Sequence, residues 1–244
     1  MKFNITSLPS LFTCLNLFFG FAAIIQISTK DFETAAWFII IAVLFDGMDG
    51  KLARWTGTGS AYGFEMDSLA DLVSFGVAPA FLVYSSGLKN FGFIGLLIAF
   101  FYLLAGLYRL ARFNVLQAGD RTKGYTGLPI PVSGMTVAAF ELFRVHMMQS
   151  FHDGFLVSIL AILSILMVST VPYDWPALQF HESLYLKFKS IFILICVVSM
   201  ALLPNWCLFP ILSLFILFGI VEWIYLWIHG DVTASQFFHV IRSH

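Results

Sequence analysis

The sequence predicts an all-α, polytopic bundle of membrane helices, and three observations carry that expectation. Charged residues make up only 11% of the 244 residues while 59% are hydrophobic. Mean hydropathy is +0.89. The apolar residues fall in continuous runs rather than in strict alternation, which favours helices over barrel strands. A soluble domain covers itself with about 25% charged residues, and a disordered chain needs low hydrophobicity, so composition excludes both. Thirteen Lys and Arg against fourteen Asp and Glu leave a formal net charge of -1. No basic excess is available for phosphate backbones, so nucleic acid is not an expected partner.

A bilayer core of about 30 Å needs about 20 mostly apolar helical residues. Spans of this kind are expected at Leu8 to Gln26, Thr34 to Leu52, Ser68 to Gly87, Phe91 to Phe113, Leu128 to Gln149, Phe155 to Val171, Phe188 to Leu203 and Trp206 to Ile228. That makes about eight. The first follows Lys2 in the manner of a signal peptide, but its length and the spans after it identify it as a helix that stays. Spans seven and eight meet at Pro204 and Asn205, the one boundary where two elements could merge into a bent or re-entrant one. A single domain over residues 1 to 244 is expected, with no internal repeat. Cys14, Cys196 and Cys207 lie in apolar runs without a CxxC spacing and read as small buried residues. Tyr173, Trp175 and Tyr185, in the connection from Pro172 to Lys187, read as interfacial anchors.

Orientation follows from the cationic residues, which collect at cytoplasmic ends. On the side of the N-terminus lie Lys2, Lys51, Arg54, Arg109, Arg112, Arg121, Lys123, Lys187, Lys189 and Arg242. Only Lys30, Lys89 and Arg144 lie opposite. Both termini and the second-to-third and fourth-to-fifth connections are therefore expected in the cytoplasm.

Chemistry is concentrated in residues 45 to 76, FDGMDGKLARWTGTGSAYGFEMDSLADLVSFG. A carboxylate inside a membrane helix costs at least about 2.5 kcal/mol on insertion scales, yet Asp46, Asp49, Asp67 and Asp71 all fall here. Asp46 and Asp49 are three apart and Asp67 and Asp71 four apart, so each pair shares a helix face. The short connection from Trp55 to Tyr62, with Gly57 and Gly59, makes the two helices antiparallel neighbours. Four negative charges then converge, an arrangement that needs retained protons or bound cations. All-oxygen hard ligands favour Mg²⁺ or Mn²⁺, and a two-metal site would bind a diphosphate. Gly50 and Ala53 leave room beside the pairs, and Arg54 offers a cationic fork to carboxylate or phosphate.

Other polar residues read more plainly. Glu141 and Arg144 are an i, i+3 ion pair. The six histidines show no ligand spacing. For Ser68, Ser74 and Asn114, helix–helix hydrogen bonding competes evenly with a substrate role. An intramembrane prenyltransferase would carry its acids in two motifs on well-separated helices, whereas one run of 26 residues holds all four. A cation carrier or channel would place them at the bilayer midplane along a path.

The same run reads D-x2-D-G-x2-A-R-x8-G-x3-D-x3-D, filled by Asp46, Asp49, Gly50, Ala53, Arg54, Gly63, Asp67 and Asp71. In this it resembles the CDP-alcohol phosphatidyltransferases. The stretches SLPSLFTCLNLFFGF, DSLADLVSFGVAPA, YRLARFN and YTGLPIPVSG resemble the integral-membrane phosphatidylserine synthase branch of that family, over roughly residues 6 to 135. The resemblance implies a multi-pass enzyme of the cell (inner) membrane, with a six-helix catalytic core and a homodimeric state. It would move a phosphatidyl group from CDP-diacylglycerol to the hydroxyl of L-serine and release CMP, with its site facing the cytoplasm. It implies Asp46, Asp49 and Asp67 as metal ligands, with Asp71 as catalytic base and further ligand. Gly50, Ala53 and Gly63 would shape the nucleotide pocket. Glycerol 3-phosphate, inositol phosphate or choline would fit the same signature as acceptor. A zwitterionic acceptor such as serine needs a cation for its carboxylate. Arg109 and Arg112 are the candidates for diphosphate or that carboxylate, with Arg121 and Lys123 as further serine contacts. The helices over residues 155 to 228 share only hydrophobic character with the family.

Overall fold

A computed structural model describes residues 8–56, 61–119, 127–147, 153–171, 173 and 203–228. Among these there is no strand, as the continuous apolar runs require. The helices are α1 (Leu8–Ser28), α2 (Phe32–Thr56), α3 (Ala61–Asp71), α4 (Ala78–Ser86), α5 (Gly92–Gly119), α6 (Ile130–His146), α7 (Asp153–Val168) and α8 (Pro204–Ile228). A π-helical turn, Leu72–Val77, joins α3 to α4, and a 3₁₀ turn, Leu88–Phe91, leads into α5. Four stretches are long and apolar enough to cross a membrane: Ser10–Ser28, Tyr62–Ser86, Leu88–Val115 and Asn205–Tyr225. The shorter α7 is also apolar. The span expected at 188 to 203 lies outside the described residues.

Two boundaries differ from expectation for physical reasons. The third span begins at Ala61 rather than Ser68. Six helical residues, Ala61 to Met66, precede Asp67, so its backbone and that of Asp71 lie inside a helix rather than at its start. The helix α5 runs six residues past Phe113, to Gly119, carrying Arg109, Arg112 and Asn114 on a continuous helical frame.

α1 and α2 form a hairpin through Thr29, Lys30 and Asp31, with Lys30 at φ 65°. Phe19 stacks on Phe45 at 5.3 Å between centroids, while Phe12 meets Phe45 at 6.1 Å and Phe19 meets Phe38 at 5.7 Å. These rings fix the register of the two helices, and the register decides what α1 presents to the aspartates of α2. α1 also packs against α3, the π turn and α4, at a close approach where a Cβ on Gly20 would collide with Ser74, whose Cα lies 2.7 Å from that position. Glycine is required there by space.

α6 is the innermost helix, buried almost throughout from Ser133 to Leu142, with α2 on one side and α8 on another. Phe209 of α8 packs on Phe140 at 4.9 Å and Phe143 at 5.7 Å. Its one acidic residue, the fully buried Glu141, is paired with Arg144 at 2.6 Å and receives a further hydrogen bond from Ser86 at 3.3 Å. The expected local ion pair is therefore formed. Tyr173 departs from the expected interfacial anchor: it is buried, with its ring against the backbone of Gly219 and its hydroxyl donated to the Ile216 carbonyl at 3.5 Å. Burial pushes its phenol up to about 12, so it remains a neutral donor. Cys14 also differs, being exposed on the outer face of α1. That face carries Leu11, Phe18 and Phe21, all exposed as lipid-facing residues are.

Candidate active site

The helical spacing places Asp46 and Asp49 together on α2 and Asp67 and Asp71 together on α3, and α1 packs against both helices. Oxygens of Asp46, Asp49 and Asp67 lie within 4.8 Å of one another. Asp46 is within hydrogen-bonding range of Asp71, and Asp49 of Asp67. Asp49 and Asp71 are buried. Four acids drawn together in this way, away from bulk water, repel one another unless positive charge or protons lie between them.

Several observations fit a divalent cation here. Asp67 Oδ1 is buried with no hydrogen-bond partner among the described residues, an orphaned lone pair of the kind a metal satisfies. The donor set is all carboxylate oxygen, the set preferred by hard cations. Beside it, Gly50 is exposed, and a Cβ there would meet nothing within 4 Å.

α1 contributes residues that sequence reasoning missed. Thr13 Oγ1 donates to Asp49 Oδ2 at 3.0 Å, and Asn16 Nδ2 donates to Asp71 Oδ1 at 3.0 Å. Ser74 in turn donates to the Asn16 carbonyl at 3.0 Å. Thr13, Asn16 and Gly20 follow an i, i+3, i+7 pattern in a stretch, Leu11 to Ile25, that is otherwise apolar. Such a polar stripe on one face of a membrane helix is the signal that marks them.

The cations divide by role. Arg109 is buried, near enough to Asp46 to act on its charge, with its guanidinium carbon 5.2 Å from the centre of the Phe113 ring. Arg112 lays its guanidinium on the last carbonyls of α7, donating to Val168 and Ser169 at 3.0 Å and to Met167 at 3.5 Å. Gly127 and Leu128 complete that junction by donating to the Val171 and Leu166 carbonyls. Gly127 has φ +83°, and a Cβ there would meet the Met167 carbonyl oxygen at 2.6 Å, so glycine is needed on both counts. Ser68 donates to Asn114 at 3.2 Å and Asn114 to Glu65 at 3.4 Å. These polar residues thus serve helix–helix contact between α3 and α5. Gly63 lies half-buried in α3. The side chains of Ala53 and Arg54, and residues Arg121 and Lys123 altogether, lie outside what the structure describes.

Comparison with known proteins agrees with this geometry. The family model for CDP-alcohol phosphatidyltransferase matches residues 6–170. The chain is similar to the CDP-diacylglycerol--serine O-phosphatidyltransferase of Helicobacter pylori, with 32% identity across 89% of this chain and 91% of the relative. It is 34% identical to the protein of the same name from Methanocaldococcus jannaschii, over 91% of this chain and 96% of that one. Identity to the archaetidylserine synthase of Methanothermobacter thermautotrophicus is 40% over 68% and 69% of the two chains. With the aspartate signature assembled on neighbouring helices and matches extending over most of its length, this chain belongs to the CDP-alcohol phosphatidyltransferase family.

Proposed function

We propose that this protein transfers the phosphatidyl group of CDP-diacylglycerol to the hydroxyl of L-serine, giving phosphatidylserine and CMP. The observation that carries the reading is the convergence of four carboxylates from two neighbouring helices, with Asp71 beside Asp46 and held by a hydrogen bond from Asn16. Asp46, Asp49 and Asp67 would hold Mg²⁺ or Mn²⁺, with Asp71 as a further ligand, and the bound charge would neutralise the diphosphate and the oxygen that departs with CMP. Serine itself is a weak nucleophile at neutral pH, so Asp71 accepts its hydroxyl proton as the serine oxygen bonds to the phosphorus nearest the diacylglycerol. The bond from that phosphorus to the bridging oxygen breaks, and its electron pair leaves with CMP. Arg109, buried beside Asp46, is the cation for the diphosphate. Gly50, Ala53, Arg54 and Gly63 line the nucleotide approach, and Arg121 and Lys123 receive the serine carboxylate. Arg112, anchored on α7 carbonyls, is a further cation for the diphosphate or the serine carboxylate.

The same reading takes the chain as one domain of about eight spans and as a homodimer. Its site opens to the cytoplasm, because ten of the thirteen cationic residues lie on that side. Nucleotide and serine then arrive from water while the acyl chains stay in lipid.

The test is CMP release by purified protein with Mn²⁺ or Mg²⁺, CDP-diacylglycerol and one alcohol at a time: L-serine, glycerol 3-phosphate, inositol phosphate or choline. Release is expected with L-serine, falling at least about 10²-fold in Asp71→Asn, the scale of a lost general base. Release with a different alcohol alone would overturn the acceptor, and an unchanged rate in Asp71→Asn would overturn the base.

A further inference from the structure

Asn16 is an amide in the sequence Leu15, Asn16, Leu17, Phe18, Phe19, fully buried in the middle of a membrane helix. Its orientation follows from Asp71 in the ionised form that a base requires. Nδ2 faces Asp71 Oδ1 at 3.0 Å, and the flipped amide would set an oxygen against a carboxylate, which offers no hydrogen unless protonated. The main chain at Asn16 is held as well, by the Ser74 hydroxyl on its carbonyl. The other end is not accounted for: Asn16 Oδ1 is buried and has no hydrogen-bond partner among the described residues. An acceptor kept dry and unmatched is disfavoured unless a donor arrives during function.

The donor can be identified by its chemistry. Oδ1 and Nδ2 are attached to one carbon, so a group bonded to Oδ1 lies beside the group that meets Asp71. A 1,2-amino alcohol carries its hydroxyl and its ammonium on adjacent carbons, and so presents two donors side by side. The surrounding acids favour a cationic donor over a neutral one. We infer that Asn16 determines acceptor specificity: it aims Asp71 at the hydroxyl through Nδ2 and accepts a hydrogen bond from the acceptor's ammonium group through Oδ1. This rests on the reading that a serine-like amino alcohol is the acceptor, and it adds the residue that recognises the amine.

The experiment compares L-serine with 3-hydroxypropanoate, which keeps the hydroxyl and carboxylate but has no ammonium group. CMP release is measured for the native protein, Asn16→Leu and Asn16→Ser with Mn²⁺, alongside CDP-diacylglycerol binding as a control of fold. The native protein should strongly prefer L-serine, as a site with a dedicated hydrogen bond does. In both variants the KM for L-serine should rise at least about tenfold, and the preference over 3-hydroxypropanoate should shrink by a similar factor, with CDP-diacylglycerol binding kept. Asn16→Ser supplies the answer if Asn16→Leu does not fold, because its shorter hydroxyl cannot reach both partners. Variants with a lower kcat but the native preference would overturn the inference and leave Asn16 a positioning residue for Asp71 alone. Serine transfer by the native protein with unaltered kinetics in both variants would overturn it outright. A native protein that uses an alcohol lacking an amine and rejects serine would overturn this inference and the acceptor reading together.

Discussion

Thr13 and Asp49 are 36 positions apart, yet the threonine hydroxyl reaches the carboxylate at 3.0 Å. That hydrogen bond fixes one oxygen of Asp49 and so sets the direction of the other. The four aspartates could be read from the sequence because helical periodicity alone puts each pair on one face, and a short connection brings the faces together. Thr13 and Asn16 could not be read the same way, since their partners depend on how α1 crosses α2 and α3. Arg112 illustrates the opposite difficulty. Its place at the end of a span suits a phosphate or carboxylate ligand, while the carbonyls of residues 167 to 169 on which its guanidinium rests are connected to it by no local pattern. For Thr13→Val, which keeps shape and removes the donor, the Mn²⁺ concentration for half-maximal activity should rise roughly tenfold, the scale of outer-shell substitutions at metal sites. A metal titration of CMP release reads this directly, and an unmoved midpoint would show that Asp49 needs no such support.

The element that most shapes the site is the π turn that follows Asp71. A π turn interrupts the regular helical ladder and is frequent at functional sites. Its cost is met by neighbours: Tyr102 donates its hydroxyl to the Phe75 carbonyl at 3.1 Å, and Ser133 donates to the Tyr102 oxygen at 3.1 Å. α5 and α6 therefore brace the segment that carries Asp71, while α1 rests on it through Gly20 and Ser74. The sequence predicted the helices on either side of this turn, because apolar runs of spanning length are legible. It did not predict the turn, which has no composition of its own and exists through tertiary hydrogen bonds. Tyr102→Phe removes only the donated hydroxyl. It should lower the unfolding free energy in detergent by about 1 kcal/mol and should reduce kcat without changing the KM for CDP-diacylglycerol. Thermal unfolding followed together with CMP release checks both, and loss of CDP-diacylglycerol binding instead would place Tyr102 at the nucleotide rather than behind the turn.

At the scale of the whole molecule, the distribution of charge and the position of the acids agree. Lys51, next to the aspartates in sequence, is exposed at the acidic end of α2, whereas Lys89 is exposed in the 3₁₀ turn after α4. α4 continues the span whose first half carries Asp67 and Asp71, so Lys89 lies beyond its other end. With the native cysteines replaced, Lys89→Cys should react with a membrane-impermeant maleimide in intact cells, while Lys51→Cys should react only after permeabilisation. The reverse pattern would put the site on the outer face. Placing the acids together in the connected halves of two helices, rather than along a path through the bilayer, suits chemistry near the water boundary, where a charged nucleotide and a lipid tail can meet in one molecule. The central claim of this account is that Asp46, Asp49 and Asp67 act together as one cation site. Its most direct measurement is Mn²⁺ binding to the detergent-purified protein, followed by electron paramagnetic resonance. Saturable binding is predicted for the native chain, weakened at least about 10²-fold in Asp49→Asn, the loss of close to 3 kcal/mol expected when a carboxylate ligand is removed. Native protein without saturable binding, or an Asp49→Asn protein that binds as the native does, would contradict it.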